Sequence, residues 1–299
     1  MINETALQIL LANKIGQINF GKIWRYMNGN NLTAEEIFQD NDILKALKIP
    51  EESVSSFFSC RESAYKIAER LQRGGVRLLL KGKKDFPEQL KDSYSFLFTY
   101  GNLSLLNKRS CGFTGSRKST KEALRVTAKL AGEMAAVGMT VISGYAEGVD
   151  VTAHRAALEN SGGTVFVLAE GIFKYKPKIS RDLLIDNNFL FVSQFSPVQT
   201  WAKYQAMARN NLIIDLSDSM VLIAAGKEGG SYDAAEKTLK KNKKLFVLDF
   251  MGKEPAAEAN EYFIKKGGLP VKAETAKLKD IIEESKVRYI QPTIEEYIF

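Results

Sequence analysis

The chain has 299 residues, of which 45% are hydrophobic and 26% charged, which is enough to bury a full core and predicts a soluble globular protein. Its apolar stretches are shorter than the roughly twenty residues that span a bilayer, its amino terminus lacks a signal-peptide pattern, and its two cysteines are too few for a disulfide framework, so we expect a cytoplasmic protein without membrane contact. The formal net charge of +7 favours a polyanionic partner such as a nucleic acid, because clustered Lys and Arg release counterions when they bind a phosphate backbone.

The first 75 residues have the pattern of a small helical domain. Residues 6–11 are apolar, and Thr33-Ala34-Glu35-Glu36 is a capping box, in which the Thr hydroxyl accepts from the Glu36 amide while the Glu36 side chain reaches back. A further helix is predicted over residues 61–73, where Gly74-Gly75 suits a glycine C-cap. We therefore predict a helical domain over residues 1–75.

From residue 76 onward, short β-rich runs alternate with helical stretches. This alternation predicts an α/β fold of the Rossmann-like, doubly wound type, in which a mostly parallel sheet carries helices on both faces. We assign this domain to residues 76–270 and a short C-terminal tail to residues 271–299. The predicted strands cover residues 76–80, 111–114, 139–142, 164–168, 189–192, 220–223 and 245–248.

Ligands of doubly wound sheets bind outside the carboxyl ends of the strands, so the loops at that edge are the first place to look for a site. Residues 115–118, 143–148 and 226–231 form three such loops, and each leads into a predicted helix whose first amides and dipole attract anions. Gly144 and Gly148 would let a ligand approach the backbone closely. Neither a Walker A sequence nor a G-x-G-x-x-G fingerprint is present, which weakens the P-loop NTPase and NAD hypotheses.

Other kinds of chemistry have less support. Asp150 lies one helical turn from the chain's single histidine, His154, and a helix cap with a local ion pair explains this pair as well as a functional role does. One histidine and two distant cysteines form no metal-ligand cluster, and no Ser or Cys lies in a nucleophile elbow. We therefore expect neither a metal nor a cofactor.

Several segments, in the same order and at the same spacing, resemble the DNA-processing protein DprA (Smf) family. The resemblance covers roughly residues 80–250, and the helical beginning is similar to that family's degenerate SAM-like domain. The matching segments are Asp85-Phe86-Pro87-Glu88-Gln89-Leu90, Tyr100-Gly101-Asn102-Leu103, Gly115-Ser116-Arg117, residues 143–150 with 153–158, Arg209-Asn210-Asn211-Leu212-Ile213-Ile214, and Leu216-Ser217-Asp218.

This resemblance implies a protein that binds single-stranded DNA during natural transformation, helps to load the RecA-type recombinase, works as a homodimer and turns over no substrate. It also implies a pocket for nucleic-acid phosphates. The front would be formed by Gly115, Ser116, Arg117 and Lys118, the floor by Ser143, Gly144 and Gly148, and the far wall by Arg209 and Asn210, with Gly229, Gly230, Ser231 and Lys174 completing the set. Lys176 and Lys178 extend the positive charge around Lys174, unless all three lie on a solvated loop.

The chain departs from the family pattern at several positions, which marks it as a divergent member. Glu147 stands where the family usually has Arg, and Asn211 replaces the second Arg of its Arg-Asn-Arg motif. A charge reversal and a lost cation are expected to lower phosphate affinity. Because only a short tail follows residue 270, we expect no winged-helix module of the kind that many relatives carry.

A second interpretation makes the protein an enzyme. Residues 229–236 are similar to the glycine-rich segment and following acid of the LOG family of nucleoside-monophosphate phosphoribohydrolases, which shares the fold. In that case Glu236 would stabilise a ribosyl cation and Arg209 would take the place of that family's Arg, whereas the alternative makes Glu236 an exposed helical residue. A third interpretation is a nucleotide-signal sensor in defence. Lys237, Lys240, Lys241, Lys243 and Lys244 form either a solvated helix end or part of a DNA track.

Overall fold

The computed structural model describes residues 3–185, 188–279 and 281 and divides into two compact units. The first unit comprises Met1–Leu103, Val167–Pro177 and Leu190–Arg209, and the second comprises Ser104–Phe166, Lys178–Phe189 and Asn210–Phe299. The predicted tail lies largely outside the described residues. The predicted boundaries of the helical domain (1–75), the Rossmann-like domain (76–270) and the tail (271–299) stay predictions.

The chain begins with helices, as the sequence predicts. Thr33 caps α3 through the predicted capping box: its Oγ1 accepts from Glu36 N at 3.2 Å, and its own N–H donates to Glu36 Oε2 at 2.7 Å. The six helices of this region are α1 (Glu4–Leu11), α2 (Gln17–Asn30), α3 (Ala34–Gln39), α4 (Asn41–Leu47), α5 (Glu52–Ser59) and α6 (Arg61–Arg73).

Helix α6 ends at the two glycines that follow it. Gly75 has a φ of +67°, its N–H donates to the Gln72 carbonyl at 3.1 Å, and Val76 N donates to the Leu71 carbonyl at 2.9 Å. This pair of bonds is a Schellman motif, which pairs carbonyls that the helix end would otherwise leave free and needs a residue that tolerates positive φ. The chain can therefore turn at once into the first strand.

All seven predicted strands are present, and two more occur in the described residues. The additional strands are β2, whose Phe96, Leu97 and Phe98 are buried, and β9, which carries Pro270. The strands are β1 (Arg77–Leu80), β2 (Phe96–Gly101), β3 (Ser110–Thr114), β4 (Thr140–Ser143), β5 (Thr164–Val167), β6 (Phe189–Ser193), β7 (Ser219–Leu222), β8 (Lys244–Asp249) and β9 (Leu269–Lys272).

The strands of the first unit are antiparallel. β2 pairs with β1 on one side, where Leu79 lies opposite Leu97, and with β6 on the other, where Thr99 lies opposite Val192. Gln17 of α2 ties this sheet to the helices, because its Nε2 donates to the carbonyls of Phe96 and Gln194, each at 3.0 Å.

The strands of the second unit are parallel, in the order β5-β4-β3-β7-β8-β9. The chain runs outward from β3 through β4 and β5 and later returns to β3 through β7, so the strand order reverses between β3 and β7. Helices connect these strands: α7 (Lys121–Ala136), α8 (Val149–Glu159), α10 (Gly230–Lys240) and α11 (Asn260–Lys265), while α9 (Lys203–Leu216) precedes β7. The predicted α/β, Rossmann-like fold with a mostly parallel sheet is confirmed.

One hydrophobic core of the second unit lies between this sheet and helices α7 and α8. Alternate residues of β3 and β8 point into it, namely Cys111 and Phe113 from β3 and Phe246 and Leu248 from β8, and all four are fully buried. Side chains of alternate residues share one face of a strand, which explains the pattern. This core holds the starts of α7 and α8 against the carboxyl ends of the strands.

Candidate functional site

The three loops expected to form a phosphate site follow neighbouring strands of the second unit. Thr114 at the end of β3 is paired with Leu222 at the end of β7, and β4 lies on the other side of β3. The loops lead into α7, α8 and α10, as predicted. They therefore begin at the point where the strand order reverses, which is where ligands bind in doubly wound sheets.

The loops after β3 and β4 touch through their backbones at Gly148. This residue has a φ of +80°, and a Cβ atom placed on it would lie 2.6 Å from the Ser116 carbonyl oxygen and 2.9 Å from Arg117 Cα. A Cβ on Gly115 would likewise lie 2.5 Å from Val149 Cγ2. Both glycines are therefore required by close approach, and they hold Ser116 and Arg117 beside the start of α8.

Arg117 and Lys118 are exposed at this contact. Within residues 3–185, 188–279 and 281, the Arg117 side chain has no acidic or hydrogen-bonding partner, and it pairs with neither Glu147 nor Asp150. Ser116 stabilises its own loop, because its Oγ accepts a hydrogen bond from Lys118 N at 3.0 Å. An exposed guanidinium without a counter-ion can bind a phosphate with two parallel hydrogen bonds.

Glu147, which replaces a family Arg, has a partner of its own. Its carboxylate lies 3.4 Å from Lys178 Nζ, and the same ammonium group donates to the Tyr145 carbonyl at 3.0 Å. The charge of Glu147 is therefore balanced locally. Its expected repulsion of phosphate is smaller than the sequence alone indicates.

Tyr145 anchors the loop after β4, a role that the sequence analysis missed. Its φ is +62°, which is uncommon for a residue with a side chain, and the ring is buried against Phe166 with ring centroids 4.9 Å apart. The hydroxyl accepts from Lys178 N at 2.6 Å and from Ile179 N at 3.2 Å. Gly144, which precedes Tyr145 and marks a tight turn, is the only local feature of the sequence that indicates this role.

Asp150 and His154 hold the fold together. Asp150 Oδ2 accepts from Ala146 N at 3.2 Å, which closes the loop onto the first turn of α8. The His154 ring is fully buried, and its Nδ1 lies 2.7 Å from Thr164 Oγ1, whose own proton goes to the Val141 carbonyl. His154 therefore donates from Nδ1, and these bonds favour the structural explanation of the pair.

The N-termini of the three helices differ in what occupies them. Thr120 caps α7, with its Oγ1 accepting from Ala123 N at 3.3 Å, and the buried Glu254 carboxylate accepts from the Thr120 hydroxyl and, at 3.4 Å, from Thr120 N. α8 and α10 instead begin at Gly148 and Gly229 without a side-chain cap. The start of α7 is thus capped by side chains, whereas the first amides of α8 and α10 have no side-chain cap, with Asp150 and Asp233 in their first turns. Uncapped amides leave α8 and α10 as the places where an external anion is better accommodated.

Asn210 positions the start of α10. Its Nδ2 donates to the Gly230 carbonyl at 3.0 Å and lies 3.3 Å from Asp233 Oδ2, which in turn pairs with Lys237 at 2.8 Å. Gly229 has a φ of +105°, which glycine adopts readily. Asn210, Gly229 and Gly230 are therefore brought together, with the half-buried Ser231 next in the chain.

The remaining expected residues are placed differently. Ser143 is fully buried, and its hydroxyl donates to the Phe113 carbonyl at 2.7 Å, so it supports the floor from below. Gly144 is also buried. Lys174 and Arg209 belong to the first unit, where Lys174 is exposed and Arg209 is 6% exposed.

Glu236, the acid of the enzyme hypothesis, interacts with two lysines. Its carboxylate oxygens lie 3.4 Å from Lys240 Nζ and 3.4 Å from Lys266 Nζ. Partial burial raises its pKa, but the hydrogen bonds and charges of both lysines outweigh that effect, and the net pKa is below the ordinary value. An ionised carboxylate is also what the enzyme hypothesis needs, so the pKa does not separate the two explanations. Lys240 and Lys266 already neutralise this carboxylate, however, and these ion pairs favour the structural explanation of Glu236.

The lysines around α10 also serve the fold. Lys241 pairs with Asp215 at 2.5 Å, and Lys243 Nζ donates to the carbonyls of Ile214 and Ser217, each at 2.6 Å. Lys243 thereby satisfies carbonyls at the C-terminus of α9, where a cation also suits the helix dipole. These contacts favour a structural role for this stretch over a DNA track.

Two features are not found in residues 3–185, 188–279 and 281. None of the helices described is long and apolar enough to cross a membrane. The same residues contain no group of three or more His, Cys, Asp or Glu side chains arranged to hold a metal ion.

Comparisons with known proteins agree with this architecture. The DNA processing protein DprA of Streptococcus pneumoniae is 29% identical over 168 residues, which cover 54% of this chain and 59% of that protein. The X-ray structure of DprA from the same organism superposes with a TM-score of 0.75 at 22% identity, covering 95% of this chain and 98% of that one, which shows the shared fold.

A second solved structure is DNA processing protein A from Helicobacter pylori, described for its single-stranded DNA binding mode. It is 27% identical with a TM-score of 0.59 and covers 70% of this chain and 94% of that one. The family model for DNA recombination-mediator protein A matches residues 77–286, well over half of the chain. This protein is therefore a member of the DNA recombination-mediator protein A (DprA/Smf) family.

Proposed function

We propose that this protein binds single-stranded DNA in DNA processing and recombination, and that the strand's phosphates bind at the loops formed by residues 115–118, 144–148 and 229–231. We call these three segments the phosphate edge. The family assignment supports a role in DNA processing, and the Helicobacter pylori relative is described as binding single-stranded DNA.

The observation that carries the proposal is the exposed and unpaired side chain of Arg117 among the described residues. It is exposed, it has no counter-ion among the residues described, and Gly148 fixes its backbone against the start of α8. A guanidinium fork held beside uncapped helix amides suits a phosphate. Two acids near this edge are already paired, Glu147 with Lys178 and Asp233 with Lys237.

The other parts of the proposal follow from the family resemblance. Lys174 and Arg209 are phosphate-binding residues in this proposal because the resemblance implies them. Loading of a RecA-type recombinase, work in natural transformation as a homodimer and a cytoplasmic location also belong to the proposal. We propose no chemical step, because Glu236 is held between Lys240 and Lys266.

The deciding experiment compares a labelled oligo(dT), duplex DNA of the same length and free mononucleotides in one buffer. We expect the single strand to bind more tightly than the duplex, and the logarithm of its affinity to fall linearly with the logarithm of salt concentration. Equal or tighter duplex binding would contradict the proposal. Binding of mononucleotides alone would favour a nucleotide sensor.

A further inference from the structure

The first unit contains a cavity of about 460 Å³ between α2 and the turn after β1, outside the phosphate edge. Trp24 and Arg25 line it from α2, and Lys81 and Lys83 line it from the turn. None of its lining residues is acidic. The cavity therefore combines an aromatic ring with three positive charges, and its volume is that of a small-molecule site.

The three cations of the cavity have no counter-ion. In the described part of the chain, the side chains of Arg25, Lys81 and Lys83 make no ion pair or hydrogen bond. Several other exposed cations of the described residues do have an acid within reach, as Lys66 has Glu62 and Lys91 has Glu88. Three unpaired like charges around one cavity repel each other, and an anionic ligand would relieve this repulsion.

Trp24 is held in place for stacking. It is half-buried, and its ring lies nearly parallel to that of the buried Phe20, with ring centroids 5.4 Å apart and an angle of 15° between the planes. Because its ring is already fixed, Trp24 loses little conformational entropy when a flat ring packs beside it. Stacking on aromatic side chains is how proteins bind bases of single strands without reading their sequence.

The two glycines of α2 differ in the space around them, and the space at Gly29 suits a bound group. A Cβ on Gly21 would lie 2.3 Å from Ser95 Oγ, so α2 packs closely against Ser95 at that glycine. A Cβ on Gly29 would have no atom within 4 Å, and yet Gly29 lies in the helix, where glycine is less stable than alanine. Because Gly29 lines the cavity, it leaves the helix backbone open to a bound group.

We propose that this cavity binds a nucleobase with its phosphate, the base against Trp24 and the phosphate against Arg25, Lys81 and Lys83. The unit comes either from a DNA strand, in which case the inference rests on the proposed function, or from a free mononucleotide. Both sources present the same chemistry, a flat ring joined to an anion. The cavity would thus be a second nucleotide-binding site, distinct from the phosphate edge.

The test follows the fluorescence of Trp24. The chain has two tryptophans, so Trp201→Phe leaves Trp24 as the sole reporter. Titration of this variant with oligo(dT) and, separately, with dTMP is expected to quench Trp24 emission to saturation. Binding of labelled oligo(dT) is measured in parallel by fluorescence anisotropy, which reports the proposed function whatever happens at Trp24.

Neighbouring lysines supply the matched control. Lys83 lines the cavity, whereas Lys84 is equally exposed and does not. Lys83→Gln should weaken the quenching titration by roughly threefold or more, and Lys84→Gln should leave it unchanged within error. Gly29→Ala should weaken it as well, while circular dichroism shows a fully helical protein, because the added methyl group fills the space of the ligand.

The outcomes separate the two proposals. Oligo(dT) binding by anisotropy with no Trp24 quenching by either ligand overturns this inference and leaves the proposed function intact. Quenching by dTMP without oligo(dT) binding supports the cavity as a mononucleotide site and overturns the proposed function. Equal effects of Lys83→Gln and Lys84→Gln, or no binding of any kind, also overturn the inference.

Discussion

A Cβ atom on Gly148 would lie 2.6 Å from the carbonyl oxygen of Ser116, so the loops after β3 and β4 meet through their backbones. The contact places Arg117 beside the first turn of α8. It ties the geometry of the proposed phosphate edge to one glycine, and it gives the first prediction.

Gly148→Ala should lower the free energy of unfolding by about 1–3 kcal/mol, because alanine meets both the Ser116 backbone and the strain of a φ of +80°. Urea denaturation measures the change. Gly226→Ala is the matched control, since a Cβ there has its nearest neighbour at 3.9 Å. Equal stability of the two variants would show that the loops do not depend on this contact.

Arg117→Ala should weaken oligo(dT) binding by about 1.5–3 kcal/mol, roughly ten- to hundredfold, because a charge-assisted phosphate contact is lost. Arg117→Lys should lose less, since it keeps the charge but not the planar fork, and Arg117→Glu should nearly abolish binding. Fluorescence anisotropy gives the affinities.

The control for Arg117 is Arg155→Ala, which removes one exposed arginine from α8 of the same unit. Its affinity should stay near that of the unchanged protein. The melting temperature of Arg117→Ala should also be unchanged, because no described residue pairs with its side chain. A folded Arg117→Ala protein with full affinity would remove Arg117 from the site.

Incubation with AMP should release no free adenine. Glu236 is held by Lys240 and Lys266, at 3.4 Å each, and these ion pairs suit a structural acid. Chromatography of the reaction mixture measures adenine directly. Adenine release that Glu236→Gln abolishes would instead establish the phosphoribohydrolase alternative.

The buried thiol of Cys111 predicts a loss of stability at alkaline pH. Burial raises its pKa from 9.0 to about 12, and the hydrogen bond with Ser219 offsets this only in part. The folded state therefore keeps the proton that the unfolded state releases, so this contribution is fully present below pH 9 and is lost as the pH rises toward 12.

Between pH 8 and pH 10 this thiol should lower the free energy of unfolding by about 1.4 kcal/mol. Urea denaturation at both pH values, on the unchanged protein and on Cys111→Ala, isolates the effect from other titrating groups. The unchanged protein should lose more stability than the variant over this interval. Identical pH dependence in both would mean that Cys111 is already ionised or accessible in the folded state.

The sequence predicted the elements whose signals are local. The apolar run 111–114 became β3, the capping box at Thr33 and Glu36 starts α3, and Gly74-Gly75 ends α6. β2 and β9 were missed although each pairs with the strand before it in the chain, because a short apolar run and a segment that contains proline show no clear strand period. Phe98 lies opposite Ser193, and the register of β9 places Pro270, a residue that occurs in sheets mainly at edges, beside Val247.

The features of the candidate site also divide into those with local signals in the sequence and those that depend on tertiary packing. By itself the sequence determined which loops follow β3, β4 and β7 and that glycines occur in them, because these features depend on residues close together in the chain. Only the tertiary structure decided which charges remain available, since it brings Glu147 to Lys178 and Glu254 to Thr120 and leaves Arg117 without a partner among the described residues. Ion pairs depend on distances between loops, and those distances are set by the packing of the sheet and its helices.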